Sequence, residues 1–385
     1  QFDFAAGLYE GISAAESVVI ALPAKDGVQV GTIKAYREAI KHGKATMFVV
    51  TRMEEENSNF YKCLEELKTQ FGPSICPIVV PFDKYGTVES YINLLEMKAY
   101  TYDNGVPTEV PMPASENRLK GLRAAMAVAE TDEDLMMRYF ENEGEDFTEA
   151  EIVKGLHDGI HKGYITPVVC CSGDTLAGID MMLNTIIYML PSPDETGGEL
   201  CDDGSKVQYA SRDTLEAKVF KTVADPFVGK MTYFKVMNGE VKRDMILKNN
   251  RGGEEKLAKL YTMCGKKQTE VDSLCCGDIG VTAKLNNTNT NDTLSLSGKV
   301  EYAHVISPIP YMAKGIVPVS KGDEDKISQG ISKLLEEDLT LRFENNAETR
   351  QMLIYGMGDM HLDVTVATLK ARYGVSGGDR KQASE

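Results

Sequence analysis

Several patterns that mark common protein classes are missing from this sequence of 385 residues. No uninterrupted apolar run approaches the roughly 18 to 20 residues that a membrane-spanning helix requires. The eight cysteines include no Cys-x-x-Cys pair of the kind that marks zinc knuckles and thioredoxin-type sites. The first residues carry no basic region of a signal peptide. These absences predict a cytoplasmic chain without membrane contact and with reduced thiols.

Basic residues are fewer than acidic residues. Lys and Arg number 42 against 58 Asp and Glu, which gives a net charge of −16. Such a field repels polyanions, so sequence-independent coating of DNA is excluded. One run departs from this trend, because residues 230–267 contain ten Lys or Arg and four Asp or Glu. We interpret this run either as the solvated rim of a β-barrel or as a patch that faces a polyanion.

The first half of the chain alternates short apolar strands with amphipathic helices, which is typical of a mostly parallel sheet covered by helices. A helical insertion is expected to interrupt this alternation at about residues 89–163. Thr148 and Glu151 have the spacing of a capping box, which predicts a helix over 148–161. The predicted strands are 17–22, 46–51, 75–80 and 166–170, and the predicted helices between them are 30–42 and 60–71.

The second half differs in character after a linker rich in Pro, Gly and Asp at 191–204. Short alternating stretches then predict a small β-barrel. From about residue 307, strands alternate with two amphipathic helices in the order of a ferredoxin-like fold. The sequence therefore predicts a multidomain α/β protein with domains at 1–195, 205–303 and 307–375, and residues 376–385 as a tail or the start of another domain.

Local motifs for metal or phosphate chemistry are weak. His157 and His161 have the i, i+4 spacing of zinc proteases, but Asp158 stands where the general base would be. With no third ligand at a recognisable distance, we interpret both as solvent-facing histidines near a helix end and predict no metal ligand. A Gly-x-x-x-x-Gly-Lys-[Ser/Thr] phosphate loop is absent from the sequence.

Longer stretches carry a family resemblance. They are similar, in order, to segments of elongation factor G: AETDEDLM at 129–136, LPSP at 190–193, DPFVGKMTYFKV at 225–236, EEDLTLR at 336–342 and GMGDMHLD at 356–363. GDI at 277–279 and DTL at 292–294 also resemble that family's barrel domain. The resemblance covers about residues 1–375. It implies part of a P-loop-type GTPase domain with a helical insertion, then a translation-factor β-barrel, then a ferredoxin-like α+β domain.

The resemblance also implies site residues. Gln1 falls at the water-orienting position of the second switch, which implies a catalytic role. Thr51, Arg52 and Glu54 stand where the family has its base-binding Asn-Lys-x-Asp, while Ser172 and Gly173 match the loop that supports the base. An Asp at the last position would accept the N1 and N2 hydrogens of guanine. Glu54 is one methylene longer, so guanine selectivity is in question and a divergent paralogue is indicated.

The implied function is that of a monomeric translational GTPase whose intact form binds GTP with Mg²⁺ and acts on the ribosome. No cofactor is expected to be bound to the chain as given. The step served would be translocation or a related remodelling of the ribosome. An alternative is a ribosome-associated paralogue that does not hydrolyse GTP and whose nucleotide site has decayed, as Thr51 and Glu54 suggest.

We expect no measurable GTP hydrolysis by the chain as given. On the family alignment, the phosphate loop, the first switch and the Mg²⁺ ligands would precede residue 1, and positioned cations and phosphate-binding amides supply most of the catalysis. The check is phosphate release by residues 1–385 against a blank without protein. Turnover above that blank, removed by a Gln1 substitution, would contradict the expectation.

Overall fold

A computed structural model describes residues 2–84, 86–113, 148–209, 214–225, 227–304, 306–318, 323–346, 351–374 and 377–380. The predicted catalytic residue Gln1 and the family-like stretch at 129–136 lie outside these residues. The chain divides into two units, one of residues 15–195 and one that combines residues 1–14 with 196–385. Of the helices in the described ranges, none has the length and apolarity to cross a bilayer.

The N-terminal segment is helical and belongs to the second of these units. A 3-10 turn at Phe2–Phe4 leads into helix α1 at Ala5–Ala14. The alternation predicted for the next part of the chain is confirmed as strand β1 (Ser17–Pro23), helix α2 (Val30–Lys41), strand β2 (Ala45–Thr51), helix α3 (Phe60–Phe71) and strand β3 (Ile75–Pro77). The strand predicted at 75–80 is divided, because strand β4 (Val79–Lys84) belongs to a different sheet from β3.

The insertion is not wholly helical, so that prediction is wrong for its first part. Strands β5 (Thr87–Asn93), β6 (Lys98–Asp103) and β7 (Val106–Val110) extend β4 into an antiparallel sheet. Asn104 and Gly105 join β6 to β7 with positive φ angles of 48° and 81°. An Asn-Gly pair is a strong hairpin signal because both residues tolerate positive φ, and this signal outweighs the helical pattern.

The helix predicted at 148–161 and the strand predicted at 166–170 are confirmed. Helix α4 (Glu149–His161) begins with the expected capping box, in which Thr148 and Glu151 bond each other's backbone amides. Strand β8 (Thr166–Cys170) and helix α5 (Ile179–Met189) follow. The parallel sheet has the order β1-β2-β8-β3. Its central strands are buried and apolar almost throughout, as expected of a parallel sheet with both faces covered.

The predicted barrel region forms an eight-stranded antiparallel sheet, preceded by the short strands β9 (Glu199–Leu200) and β10 (Lys206–Val207). Buried side chains such as Val219, Phe234 and Leu247 share one apolar core. The strands are β11 (Glu216–Asp225), β12 (Gly229–Asn238), β13 (Glu240–Lys242), β14 (Met245–Asn249), β15 (Glu254–Leu257), β16 (Leu260–Cys264), β17 (Lys267–Val271), β18 (Ser273–Cys275), β19 (Ile279–Ala283) and β20 (Thr293–Ser295), of which β13 and β18 pair separately.

The ferredoxin-like pattern is confirmed, with one addition. Strand β21 (Met312–Pro318), helix α6 (Glu324–Glu337), strands β22 (Arg342–Asn346) and β23 (Gln351–Gly356) and helix α7 (Asp359–Tyr373) follow in turn. Gly377–Arg380 forms strand β24, which pairs with β21 and completes the sheet order β22-β23-β21-β24. Residues 376–385 are predicted as a tail or the start of another domain, whereas residues 377–380 extend the sheet of the ferredoxin-like region. The backbone hydrogen bonds by which a strand joins a sheet edge do not require the apolar alternation that would have predicted it.

Strand β1 should exchange its amide hydrogens faster than strand β2. It is the edge of the parallel sheet among the described residues, and Val19 on it is 43% exposed, whereas six of the seven residues of β2 are buried. Hydrogen exchange followed by mass spectrometry on peptides of the two strands tests this. Equal protection of β1 and β2 would contradict it.

Candidate functional site

A pocket of about 470 Å³ opens in unit 15–195 where strands β2 and β8 end. Its floor is apolar and includes Val19, Ala21 and Val49, while polar residues that follow the two strands form its rim. Ligands of open α/β sheets bind at this edge, outside the carboxyl ends of the strands. The lining residues are Val19, Ala21, Val49, Thr51, Arg52, Glu54, Cys171, Gly173, Asp174, Ile179 and Met182.

The segment after β2 makes a sharp turn that places its polar residues on the pocket lining. Thr51 closes the strand, and its hydroxyl donates to the Leu22 carbonyl at 3.3 Å. Arg52 has a φ of 59°, in the left-handed region, and its guanidinium pairs with Glu55 at 3.2 Å. This turn buries Met53 in the core and leaves the carboxylate of Glu54 exposed on the pocket rim.

The loop after β8 supports the pocket from the other side. Ser172 is fully buried, its amide donates to the Ala177 carbonyl at 2.9 Å, and its hydroxyl accepts from the Thr175 amide at 3.1 Å. Gly173 lines the pocket, and a Cβ added there would meet nothing within 4 Å. The structure thus places four of the five predicted binding residues on the lining, whereas Ser172 shapes the loop behind it.

Sequence analysis missed one charged residue of the pocket lining. Asp174 adds a second exposed carboxylate beside that of Glu54. Cys171 is buried, and burial followed by the nearby charge of Glu54 raises the pKa of its thiol to about 11. The thiol is therefore neutral at physiological pH. The position of Asp174, directly after the Ser-Gly pair, was the available signal.

This arrangement suits a flat ring that offers hydrogen-bond donors at its edge. The aliphatic floor can pack against the face of the ring, and the carboxylates of Glu54 and Asp174 are pure acceptors when ionised. Guanine presents N–H groups at N1 and N2, whereas adenine presents an acceptor at N1. A carboxylate on the rim therefore favours guanine over adenine.

A second group of residues lies in the other unit and involves the N-terminal segment. Asp3 accepts hydrogen bonds from the amides of Met360 at 3.1 Å and His361 at 3.3 Å, in the first turn of α7. The residue before that helix, Gly358, has no side chain to take these amides. A Cβ on Gly358 would lie 2.5 Å from the Asp3 carboxylate. Asp3 thus serves as a remote N-cap, and Gly358 leaves room for it.

The two family-like stretches of the ferredoxin-like region meet around the same helix. His361 accepts from the Met357 amide through Nδ1 at 3.0 Å, and its Nε2 lies 2.9 Å from the carboxylate of Asp338. Glu337 holds Arg372 through both carboxylate oxygens, at 2.9 and 3.0 Å, and also accepts from the Ala224 amide of the barrel region. These contacts join the end of α6, the start of α7 and strand β11.

Helix α1 is fixed to the barrel region by two lysines. Lys221 pairs with Glu10 at 2.7 Å. Lys235 is buried, and its ammonium donates to the carbonyl of Ala14 at the end of α1, also at 2.7 Å. Burial lowers the pKa of Lys235 to about 8. A cation at the carboxyl end of a helix satisfies a carbonyl that has no partner within the helix.

The basic run at 230–267 is largely neutralised within the fold. Most of its cations pair with carboxylates, so of the two interpretations a solvated, ion-paired rim is favoured over a polyanion-facing patch. The pairs within 4.0 Å are Lys230–Glu336, Lys242–Glu240, Arg243–Asp272, Arg251–Asp292, Lys256–Asp244 and Lys259–Glu270.

Comparison with known proteins agrees with this architecture. The family model of the elongation factor Tu GTP binding domain matches residues 1–192, that of elongation factor G domain 2 matches 214–297, and that of elongation factor G domain III matches 307–377. A protein of Thermotoga maritima described as an elongation factor G-like protein is 33% identical over 379 residues, which are 97% of this chain and 55% of that protein.

A crystal structure of a protein from Thermus thermophilus is similar with a TM-score of 0.84 and 31% identity, and the match covers 98% of this chain and 55% of that one. The chain therefore belongs to the elongation factor G-like translational GTPases, as its motifs indicated. It spans little more than half the length of these two relatives.

Removal of the remote cap should loosen helix α7. Asp3→Ala leaves the amides of Met360 and His361 without an acceptor, and lost N-caps cost about 0.5–2 kcal/mol. Gly358→Ala should have a similar effect by displacing the Asp3 carboxylate. Because both changes break one contact, the double variant should lose less than the sum of the two. Denaturant unfolding and amide exchange of α7 are the measurements, and strict additivity would contradict the cap.

Asp338 should make the second unit sensitive to acid. Burial by itself would raise the pKa of this carboxyl, but hydrogen bonds from His361 and Thr340 outweigh burial and hold the pKa below its ordinary 3.8. A lowered pKa gives stability that is present above 3.8 and lost as the pH falls through the lower folded value. Asp338→Asn should lose this contribution, so its stability gap to the parent should shrink below about pH 4. A constant gap across pH 2–6 would refute this assignment.

Proposed function

We propose that this chain binds the base of a guanine nucleotide in the pocket after β2 and β8, with Glu54 as the acceptor for its N1 and N2 hydrogens. The observation that carries the proposal is the position of Glu54 on the rim of an apolar pocket at the carboxyl edge of the parallel sheet. The family model of the GTP binding domain supports the nucleotide class. Gly173 and Arg52 complete the rim, while Thr51 and Ser172 fix the backbone of its two loops.

Mg²⁺ accompanies GTP in phosphoryl transfer. Among the described residues no cluster of three metal-ligating groups lies at this pocket. These residues therefore do not fit a magnesium site, and their role is limited to the base. Gln1 stays the proposed water-orienting residue by family resemblance.

The N-terminal segment is the proposed link between nucleotide state and the other domains. Residues 1–14 belong to the segment matched by the GTP binding family model, yet they pack in one unit with the barrel and ferredoxin-like regions. Asp3 and Glu10 hold them there through α7 and Lys221. A change in residues 1–14 would thus be transmitted directly to both regions.

By membership of its family, we further propose a GTPase that acts as a monomer in the cytoplasm, with the ribosome as its partner and translocation or a related remodelling step as its role. The proposed domain boundaries are 1–195, 205–303 and 307–375. Cosedimentation with ribosomes in the presence of GTP and of GDP tests the partner, and the absence of any cosedimentation would contradict it.

Nucleotide titration of the chain by calorimetry tests the base pocket. We expect GDP and GTP to bind more tightly than ADP and ATP, and this preference to fall in Glu54→Ala. Glu56→Ala is a matched control because Glu56 is an exposed acid of the same turn that does not line the pocket. Equal affinity for guanine and adenine nucleotides would contradict the proposal. Absence of any guanine-nucleotide binding by the chain would also contradict it.

The double variant Glu54→Asp with Thr51→Asn tests whether the base-binding segment has lost affinity for GTP through these two residues. A shorter carboxylate should fit the N1 and N2 hydrogens better and tighten GTP binding by about 1–3 kcal/mol, the scale of a charged hydrogen bond. If the double variant binds GTP no better than the parent, Thr51 and Glu54 form a retuned site. Glu56→Asp is the control for a methylene lost elsewhere in the turn.

A further inference from the structure

Two histidines and a glutamate come together in unit 15–195 without lining the nucleotide pocket. His157 and His161 lie one turn apart on α4, with ring centroids separated by 3.7 Å. Glu195 ends the 3-10 turn at Pro193–Glu195, and its Oε1 lies 3.5 Å from Nε2 of His157. One ligand atom from each residue lies within 4.8 Å of the other two, which is found nowhere else in the described part of the chain for three metal-ligating groups.

His161 is oriented as a metal ligand would be. Nε2 is shielded from solvent and has no hydrogen-bond partner among the described residues. A neutral imidazole with its proton on Nδ1 carries its lone pair on Nε2, where it can bind a metal ion. The expectation that both histidines face solvent is therefore wrong for His161.

Glu195 is held in place from the opposite side. Its Oε2 accepts from the amide of Ser192 at 2.9 Å and from the hydroxyl of Ser192 at 2.8 Å. Oε1 remains directed at the histidines. The carboxylate thus has one anchored oxygen and one available for a ligand.

We propose that His157, His161 and Glu195 bind a zinc ion and leave one coordination position open. Zinc takes imidazole nitrogen at about 2.0–2.1 Å and carboxylate oxygen at about 2.0–2.2 Å, which in a tetrahedron separates the ligand atoms by roughly 3.3–3.5 Å. The distance of 3.5 Å between His157 and Glu195 agrees with this spacing. Two imidazoles with one carboxylate disfavour Mg²⁺ and Ca²⁺, which prefer all-oxygen shells.

Such an ion would join the last turn of α4 to the segment after α5. The sequence alone could not reveal the third ligand, because Glu195 follows His161 by 34 positions and reaches it only through the packing of these elements. Since the ion binds the folded arrangement, it should raise the melting temperature of the chain with increasing zinc concentration.

The test is zinc binding by the chelator-treated, reduced chain, measured by competition with a chromophoric chelator and by Co²⁺ absorption spectroscopy. We expect one site per chain, an intense visible band for four-coordinate Co²⁺, and loss of that band on addition of zinc but not of Mg²⁺. His157→Ala should weaken zinc at least by the factor of roughly 10–100 that loss of an outer-shell partner costs. His157 is a suitable site for this change because its side chain is 34% exposed and its loss should leave folding intact.

Three further variants make the result specific. Ser192→Ala should weaken zinc by about tenfold, because Glu195 loses one of its two anchors. His304→Ala is the matched control, an exposed histidine that pairs with Glu301 and should bind zinc as the parent does. Cys275→Ser tests capture by exposed thiols. Unchanged zinc affinity in His157→Ala, or loss of the site in Cys275→Ser, overturns the proposal.

Discussion

The parallel register between strands β2 and β8 is the constraint on which the candidate pocket depends. Val50 lies opposite Cys170, and the Cys171 amide donates to the Val50 carbonyl at 3.0 Å. Both strands therefore end at the same level. The residues that follow them, Thr51 to Glu54 and Cys171 to Asp174, are about 120 positions apart in the chain yet form one rim. Because the strands are almost fully buried, a shift in this register would expose apolar residues and is strongly disfavoured.

In the second unit, helix α7 is capped by a residue that is remote in the sequence. Helix α7 begins after Gly358, which cannot cap it, and the carboxylate of Asp3 takes the free amides from more than 350 positions away. The same helix carries His361, whose ring bonds Asp338 at the end of α6. The N-terminal segment is thus bound to the ferredoxin-like region by hydrogen bonds with defined geometry, and to the barrel region by Lys221 and Lys235. Residues 1–14 are therefore held by contacts to both regions of this unit.

The cluster of His157, His161 and Glu195 illustrates a limit of motif matching. The i, i+4 spacing of the histidines was visible, but the third group is supplied by a turn that a spacing rule does not include. Conversely, the sequence of the basic run at 230–267 suggested an interaction surface, but in the fold its cations pair with acids of neighbouring strands and of α6. In both cases the partners come from other elements. The local sequence therefore understates the metal-binding capacity of the histidines and overstates the positive charge of the basic run.

The sequence by itself determined the fold class, most strand and helix positions, the capping box at Thr148 and the family, because these follow from local periodicity, turn chemistry and ordered motifs. It misread the start of the insertion, where the Asn104-Gly105 hairpin outweighs the helical pattern, and residues 377–380, which pair with strand β21. Tertiary structure alone decided that Asp174 lines the pocket, that Ser172 lies behind it and that Asp3 caps α7. These are contacts between residues distant in sequence, and packing, which no local pattern encodes, brings them together.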